Sequence, residues 1–391
     1  MIAKLSNCLG AACLTLALAV VPYSGSAQKP GAQEMPPIDE AAIAYLIDIT
    51  SGQVLHARNA DRRFVPASIT KVMTAYVAFE LMQEGKLKPD QMVQITPETW
   101  RAWNGKGSTM WLDTETSTRV EDLLTGIVTV SANDASVVLA EGVAGSVPEW
   151  TAMMNAKARS LGMFGSHFAT PNGWPDDGRT FTTARDLAKL AEAVTTRHPK
   201  SFRHYFGRAE FPWNGITQIN RDPLIGRVEG ADGLKTGYTN EAGFGFLGTA
   251  KRGDQRLVMV LAGMDRNSSR ARLSREFMEW GFAAFDRQSL LKKAQVVGRA
   301  KVQNGAEQTV AVRTDRTVRV NVPKGRTRDV TMTIRYNGPL RAPIAKGARV
   351  ATLEIVVPGM DEARIPLLAD ADVEQAGVFD RLWNGLVGWV T

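Results

Sequence analysis

Apolar residues in this chain follow three different rhythms, and each predicts a different kind of element. From residue 42 the stretch AIAYLIDITSGQVLHARNADRRF sets two apolar runs about Thr50-Ser51-Gly52, the pattern of a β-hairpin. The next stretch, PASITKVMTAYVAFELMQEGK at 66–86, is apolar almost throughout and predicts a helix buried in a core. Helical spacing continues from about Val120 to His198, in VEDLLTGIVTV, DASVVLAEGVA, EWTAMMNAKARSLG and TARDLAKLAEAV. Strand patterns return at RVEGADGLKTGY, GFGFLGTAKRG and QRLVMVLAGMD, and the helical SSRARLSREFMEWGFAAFDR closes the region. Strands at both ends with helices between them predict one α+β domain over 41–288, a sheet assembled from both chain ends and covered by the intervening helices. After about Leu290 the runs shorten and Gly, Pro, Asn and Asp separate them, so 289–373 is expected to be an all-β sandwich.

The two ends depart from these patterns. Residues 1–27 carry Lys4, an apolar run from Leu9 to Val21 and small residues ending at Ala27, the layout of a cleaved signal peptide. Residues 28–40 are rich in Pro and polar groups and are expected to form a flexible lead-in. The last segment, 374–391, predicts an amphipathic helix: Phe379, Leu382, Trp383, Leu386 and Val390 share a stripe, with Asp380, Arg381 and Asn384 opposite. It is too short to span a bilayer, and it is expected to lie on a membrane surface through residues 376–391.

Composition narrows the chemistry. The only two cysteines, Cys8 and Cys13, fall in the leader, so the mature chain is left without thiol catalysis, disulfides or cysteine-ligated metal. The net charge is +7, but the basic residues are dispersed, and no nucleic-acid motif accompanies them. Four histidines, no G-x-S-x-G elbow and no helical pair of histidines at ligand spacing argue against a Ser–His–Asp hydrolase and a zinc peptidase.

The positions that invite chemistry start with Ser68 and Lys71. On a helix, residues three apart share a face, so hydroxyl and amine can meet. A lysine becomes a base when burial and neighbouring cations push its pKa down, and a hydroxyl so served becomes a nucleophile. Further along, VTVSANDASVV sets Ser131 and Asn133 between two helical stretches, and GADGLKTGYTNEAGFGF sets Lys235, Thr236 and Gly237 on a strand. S-x-x-K, S-x-N and K-T-G in that order form the motif set of penicillin-binding proteins and serine β-lactamases.

The region from about Ala42 to Arg287 resembles the low-molecular-mass D-alanyl-D-alanine carboxypeptidases, a family with the β-lactamase/transpeptidase-like fold. The resemblance rests on the opening hairpin and serine helix, GSTMWLD ahead of VEDLLTGIVTVSANDA, FATPNGWPDDGRTFTTARDLAKLA, and INRDPL upstream of ADGLKTG. The β-rich region and the tail resemble that subgroup's second domain and membrane anchor. The resemblance implies an acyl-enzyme on Ser68, with Lys71 as acylation base and Ser131 as proton relay to the leaving amine. Lys235 would keep the local potential positive and Asn133 would bind the substrate's amide. The N–H groups of Ser68 and Tyr238 would form an oxyanion hole, and Gly237 completes the K-T-G run. Thr236 and Arg270 would hold the terminal carboxylate, with Arg221 a second candidate. The substrate would be the pentapeptide stem of peptidoglycan, β-lactams would be covalent inhibitors, and no cofactor or metal is implied. The expected location is periplasmic, peripheral to the inner membrane. One departure stands out: Tyr238 occupies a place that is often His in this family.

Three other readings share parts of this pattern. A β-lactamase needs a fast water route to the acyl-enzyme, usually through a Glu, and LGMFGSHFATPNGWPDDGR contains none. A D,D-endopeptidase uses the same motifs. A non-enzymatic envelope scaffold would not need all the reactive positions that are present here.

Overall fold

A computed structural model describes residues 5–8, 11–16, 34–114, 116–325 and 329–377. It divides into two compact units. One comprises Glu34–Thr50 and Leu55–Ala283; the other takes in Ser51–Val54 and the chain from Ala284. Most of the amphipathic segment expected over 374–391 lies outside the described residues, as does most of the signal peptide expected over 1–27.

The first unit is built on a five-stranded sheet. Its strands are β1 (Ile43–Asp48), β2 (Gln53–Arg58), β7 (Ala231–Thr239), β8 (Gly243–Arg252) and β9 (Gln255–Met264), in the order β2-β1-β9-β8-β7. β9 pairs antiparallel with both β1 and β8, so the two ends of this unit's chain meet in the middle of the sheet. β7, which carries K-T-G, is left at an edge. Between the two halves of the sheet the chain forms α1 (Lys71–Gln83), α2 (Pro97–Trp103), α3 (Val120–Thr129), α4 (Asn133–Ala144), α5 (Val147–Ser160), α6 (Ala184–Arg197) and α7 (Pro199–Tyr205). Side-chain caps at Thr96, Ser146 and Thr183 start three of them, each oxygen accepting from an amide that the first turn leaves unpaired. α8 (Asn267–Ala283) then packs on the sheet through Leu273, Phe277 and Trp280.

The uniform apolarity of α1 is explained by its place: every residue from Lys71 to Phe79 is buried, and α3, α5 and α6 surround it. Two small sheets were not marked by the periodicity. They are β3 (Met92–Gln94) with β4 (Ser117–Arg119), and β5 (Glu210–Trp213) with β6 (Ile216–Ile219).

Three expectations need correction. The serine helix does not begin as an α-helix: Ala67–Thr70 form a 3₁₀ turn, entered through Ala67 at φ 49°, and α geometry starts only at Lys71. The lead-in is not free over its last residues, because Ile38 and Ala41 are buried and their carbonyls accept from Arg58. The helix expected to run to Arg287 stops at Ala283, where Phe285 enters a strand opposite Pro323.

The second unit is β-rich. Strands β11 (Val296–Gln303), β12 (Thr309–Thr314), β14 (Thr331–Arg335), β15 (Leu340–Arg341), β16 (Arg349–Val356) and β17 (Ala363–Ala369) form the larger sheet, in the order β14-β16-β17-β12-β11-β15. Two short strands, Leu5–Cys8 and Ala11–Leu16, extend it beyond β14. β10 (Phe285–Leu291) and β13 (Val318–Pro323) pair separately. Alternation along the strands buries Val310, Val312, Val318, Val320, Leu353, Ile355, Ile365 and Leu367 in one aliphatic core.

Candidate active site

A cleft of about 700 Å³ opens beside Ser68, and the three motifs form its walls. The first wall is the 3₁₀ turn and the head of α1. Ser68 is partly exposed, while Lys71 is 0% exposed. Lys71 Nζ lies 3.0 Å from Ser68 Oγ, 2.7 Å from Asn133 Oδ1 and 2.7 Å from the carbonyl oxygen of Asn172. Two of those neighbours can only accept. Asn133 is oriented by its own amide, whose Nδ2 donates to the carbonyl of Lys106 at 3.0 Å, so its oxygen must face the lysine. A neutral amine has two N–H bonds and one lone pair. With both N–H bonds taken by Asn133 and Asn172, the lone pair is left for the proton of Ser68.

Burial favours that neutral form. Lys71 is held well below the usual lysine pKa, first by desolvation and then by the charge of Lys235, with Arg221 acting in the same direction and Asp134 opposing.

The second wall is the turn between α3 and α4. Ser131 sits there at φ 68° and lines the cleft, and Asn133 opens α4. Asp134, the next residue, anchors the facing strand of chain: its carboxylate accepts from the amides of Met110 and Leu112 at 3.1 and 3.2 Å. Burial pushes the Asp134 carboxyl above the ordinary aspartate range. No hydrogen bond joins Ser131 to Lys71 or Lys235 among the described residues, although the resemblance implies a proton relay there.

The third wall is β7. Gly237 lets this edge strand approach the serine turn: a Cβ there would lie 2.6 Å from the carbonyl oxygen of Pro66. Gly173 serves the same closeness from the other side, since a Cβ would fall 1.8 Å from the carbonyl oxygen of Ala67. Lys235 is buried and donates to the carbonyl of Thr236 at 3.0 Å. Desolvation, then Arg221 and Arg270, lower its pKa to about 7. Thr236 and the half-exposed Tyr238 line the cleft.

The far end is cationic. Arg270 is 6% exposed; its Nη2 donates to Asn267 Oδ1 at 2.6 Å and its guanidinium lies over the Phe244 ring at 5.4 Å. Phe244 stacks in turn on Tyr238, with ring centroids 4.1 Å apart. Desolvation, with Arg221 adding, brings Arg270 down to about 10. Arg221 is exposed and donates to Ser108 Oγ at 2.6 Å, across the cleft mouth. Burial raises nearby Asp222 to about 6.

All ten residues singled out in the sequence therefore lie in one region: eight line the cleft, and the two buried lysines stand behind its wall. Sequence reasoning missed Asn172, Gly173, Asp134 and Phe244. A signal for two of these existed in NGW, whose turn-forming Asn-Gly marks a tight bend. Phe244 carries no such mark, because only pairing with β7 sets it against Tyr238.

Comparison with known proteins agrees with this geometry. Residues 30–266 match the family described as D-alanyl-D-alanine carboxypeptidase, and residues 285–375 match the penicillin-binding protein 5 C-terminal domain. The chain is 32% identical to D-alanyl-D-alanine carboxypeptidase DacA of Haemophilus influenzae over 375 residues, which cover 95% of this chain and 94% of the relative. It is 33% identical to DacC of Escherichia coli over 356 residues, 90% of this chain and 88% of the relative. Penicillin-binding protein 5 from Haemophilus influenzae superposes with a TM-score of 0.76 at 32% identity, over 88% of this chain and 100% of that one. The ampicillin-bound penicillin-binding protein D2 of Listeria monocytogenes gives 0.56 at 28% identity, over 62% of this chain and 97% of that one. With motifs, site and both domains in agreement, the chain belongs to the D-alanyl-D-alanine carboxypeptidase family of serine-type, low-molecular-mass penicillin-binding proteins.

Proposed function

We propose that this enzyme removes the terminal D-alanine from peptidoglycan pentapeptide stems through an acyl-enzyme on Ser68. Ser68 Oγ attacks the carbonyl between the two D-alanines as its proton passes to the lone pair of Lys71. The C–N bond then breaks, and the departing amine takes, by way of Ser131, the proton held on Lys71, which returns to its neutral state. Water then gives a proton to Lys71 as it adds to the ester; the ester C–O bond breaks, Ser68 Oγ regains its proton from Lys71, and the shortened stem is released. Thr236 and Arg270 hold the terminal carboxylate, with Arg221 at the mouth, and Asn133 receives the stem's amide. The N–H groups of Ser68 and Tyr238 stabilise the oxyanion. Lys235 keeps the potential positive where these negative charges gather.

The observation that carries the reading is Lys71 Nζ, fully buried, 3.0 Å from Ser68 Oγ and saturated by two acceptor-only oxygens. β-Lactams fit the same scheme as slowly released acyl donors, which the bound ampicillin of the Listeria relative supports. We assign 41–288 to catalysis and 289–373 to the β domain. Export through the 1–27 leader would bring the enzyme to the periplasm, with 374–391 resting on the inner membrane.

The test is intact-mass measurement after penicillin exposure, with peptide mapping of the adduct, beside an assay of D-alanine release from a pentapeptide. One slowly decaying adduct on Ser68 is expected, and Ser68→Ala should lose both adduct and release. Fast drug turnover without an adduct would make the protein a β-lactamase. Unchanged release by Ser68→Ala would remove the mechanism.

A further inference from the structure

A second groove, of about 500 Å³, lies on the first unit apart from the catalytic cleft, with no lining residue in common. Its floor and walls come from β3, α2, the second half of α4 and the start of α5. No residue of β4 lines it, so it lies on the side of β3 that β4 does not cover.

The register of the β3–β4 pair shows which groups face that side. Met92 stands opposite Arg119, Val93 opposite Thr118 and Gln94 opposite Ser117. Just outside the pair, Ile95 N donates to Thr116 O at 3.0 Å and Val120 N donates to Gln91 O at 2.9 Å. Positions 91 and 95 are thus bonded to the β4 side. Bonding alternates along an antiparallel ladder, so Val93 is bonded to that side as well, and Met92 and Gln94 are not. The main-chain N–H and C=O of Met92 and Gln94 therefore point away from β4. Both residues are exposed, and Met92 is 55% accessible. Val93 seats the strand on α4: it is buried there, and a Cβ on Gly142 would lie 2.2 Å from Val93 Cγ1.

The charge of the groove has one sign. Glu141 lines it and takes a hydrogen bond from Thr99 Oγ1. Glu149 stands at its rim, its Oε2 3.1 Å from where a Cβ on Gly145 would be. No Lys, Arg or His lines the groove.

We propose that this groove is a docking site for an extended strand of a partner protein, added to the free edge of Met92–Gln94 with a lysine or arginine side chain facing Glu141. Main-chain pairing supplies the direction, and the carboxylates select the basic residue. Three residues offer only four main-chain groups, so the strand alone is short and the groove beneath must add contact area. A second copy of this chain is a poorer occupant. Symmetric pairing of β3 with itself would bring acidic rims together rather than pair them with cations. The proposal does not depend on the catalytic reading.

The test uses the full chain and an acetylated, amidated, fluorescently labelled peptide, Thr-Val-Lys-Val-Thr, followed by anisotropy. Saturable binding is expected, weakened about tenfold or more when alternate amides are N-methylated or when the lysine is replaced by glutamate. Gln94→Pro removes an outward N–H and should weaken binding similarly, while Glu141→Gln should weaken only the lysine peptide. D-alanine release should be unchanged in both variants, which also reports that they fold. Lack of saturable binding, or equal binding of the N-methylated peptide, overturns the proposal. A concentration-dependent dimer in sedimentation that Gln94→Pro abolishes would also overturn it, by giving the edge to a second copy.

Discussion

The two units bury different things. The β-rich unit has an aliphatic core, and its buried polar residues Thr314, Asn321 and Glu354 are each hydrogen-bonded. Thr314 Oγ1 donates to the carbonyl of Lys292, Asn321 exchanges hydrogen bonds with Gln53, and Glu354 pairs with Arg335. The first unit instead buries Lys71, Lys235, Arg270 and Asp134 around one cleft, and their pKa values move because water has been removed from them. Burying an ammonium costs free energy that hydrophobic residues of similar size would not. A fold that retains several such groups in one place is using them, whereas the other unit is organised for packing.

Charge separates the units as well. Residues 284–377 hold 16 Lys and Arg against 10 Asp and Glu, while residues 34–283 hold 28 against 29. The chain's +7 is therefore concentrated in the β-rich part. Any general attraction to an anionic surface should act there rather than across the first unit as a whole.

This contrast can be broken from either side. The largest effect should come from Lys71→Ala. Loss of the base is expected to slow acylation by penicillin about 10²- to 10⁴-fold with little change in thermal stability. Stopped-flow labelling and a thermal melt, run side by side, check both halves. The complementary change is Leu353→Ala, in the core of the second unit. It should cost about 2–5 kcal/mol of stability by denaturant unfolding and leave kcat of the folded enzyme unchanged. Equal loss of activity and stability in both variants would erase the distinction between the units.

A smaller effect sharpens the comparison. With Lys235 at about 7, its charge fades as pH rises past neutrality, and D-alanine release should decline with it. Lys235→Arg keeps a charge at that place, so the alkaline decline should move to higher pH. The stability effect runs the other way. In wild type, Lys235 binds fewer protons folded than unfolded between about pH 7 and 10, so the folded state gains stability as pH rises through that window. A rate profile and denaturant midpoints at matched pH values test the pair of signs.

Much of this protein could be read locally. The hairpin, the buried helix, the change of texture near Leu290 and the Ser68–Lys71 spacing are all short-range features, and chain geometry alone limits what such spacings can become. The direction of the Lys71 shift was legible too, because an amine on a uniformly apolar helix must be desolvated. The sequence did not reveal the 3₁₀ turn under Ser68. That turn depends on Ala67 taking a left-handed conformation, next to Gly173 and Gly237.

What the sequence by itself determined is the set of reactive groups, their order and the kinds of element that carry them. The tertiary structure alone decided which of Lys71's hydrogens are occupied. Asn133 is 62 residues away and Asn172 is 101 residues away, and no local rule connects them. It likewise decided that Phe244 would lie between Tyr238 and Arg270. The physical reason is that hydrogen bonds and ring contacts act over a few ångströms of space, whatever the separation along the chain. Only the packed core, with close approach allowed at two glycines, brings those atoms within that range.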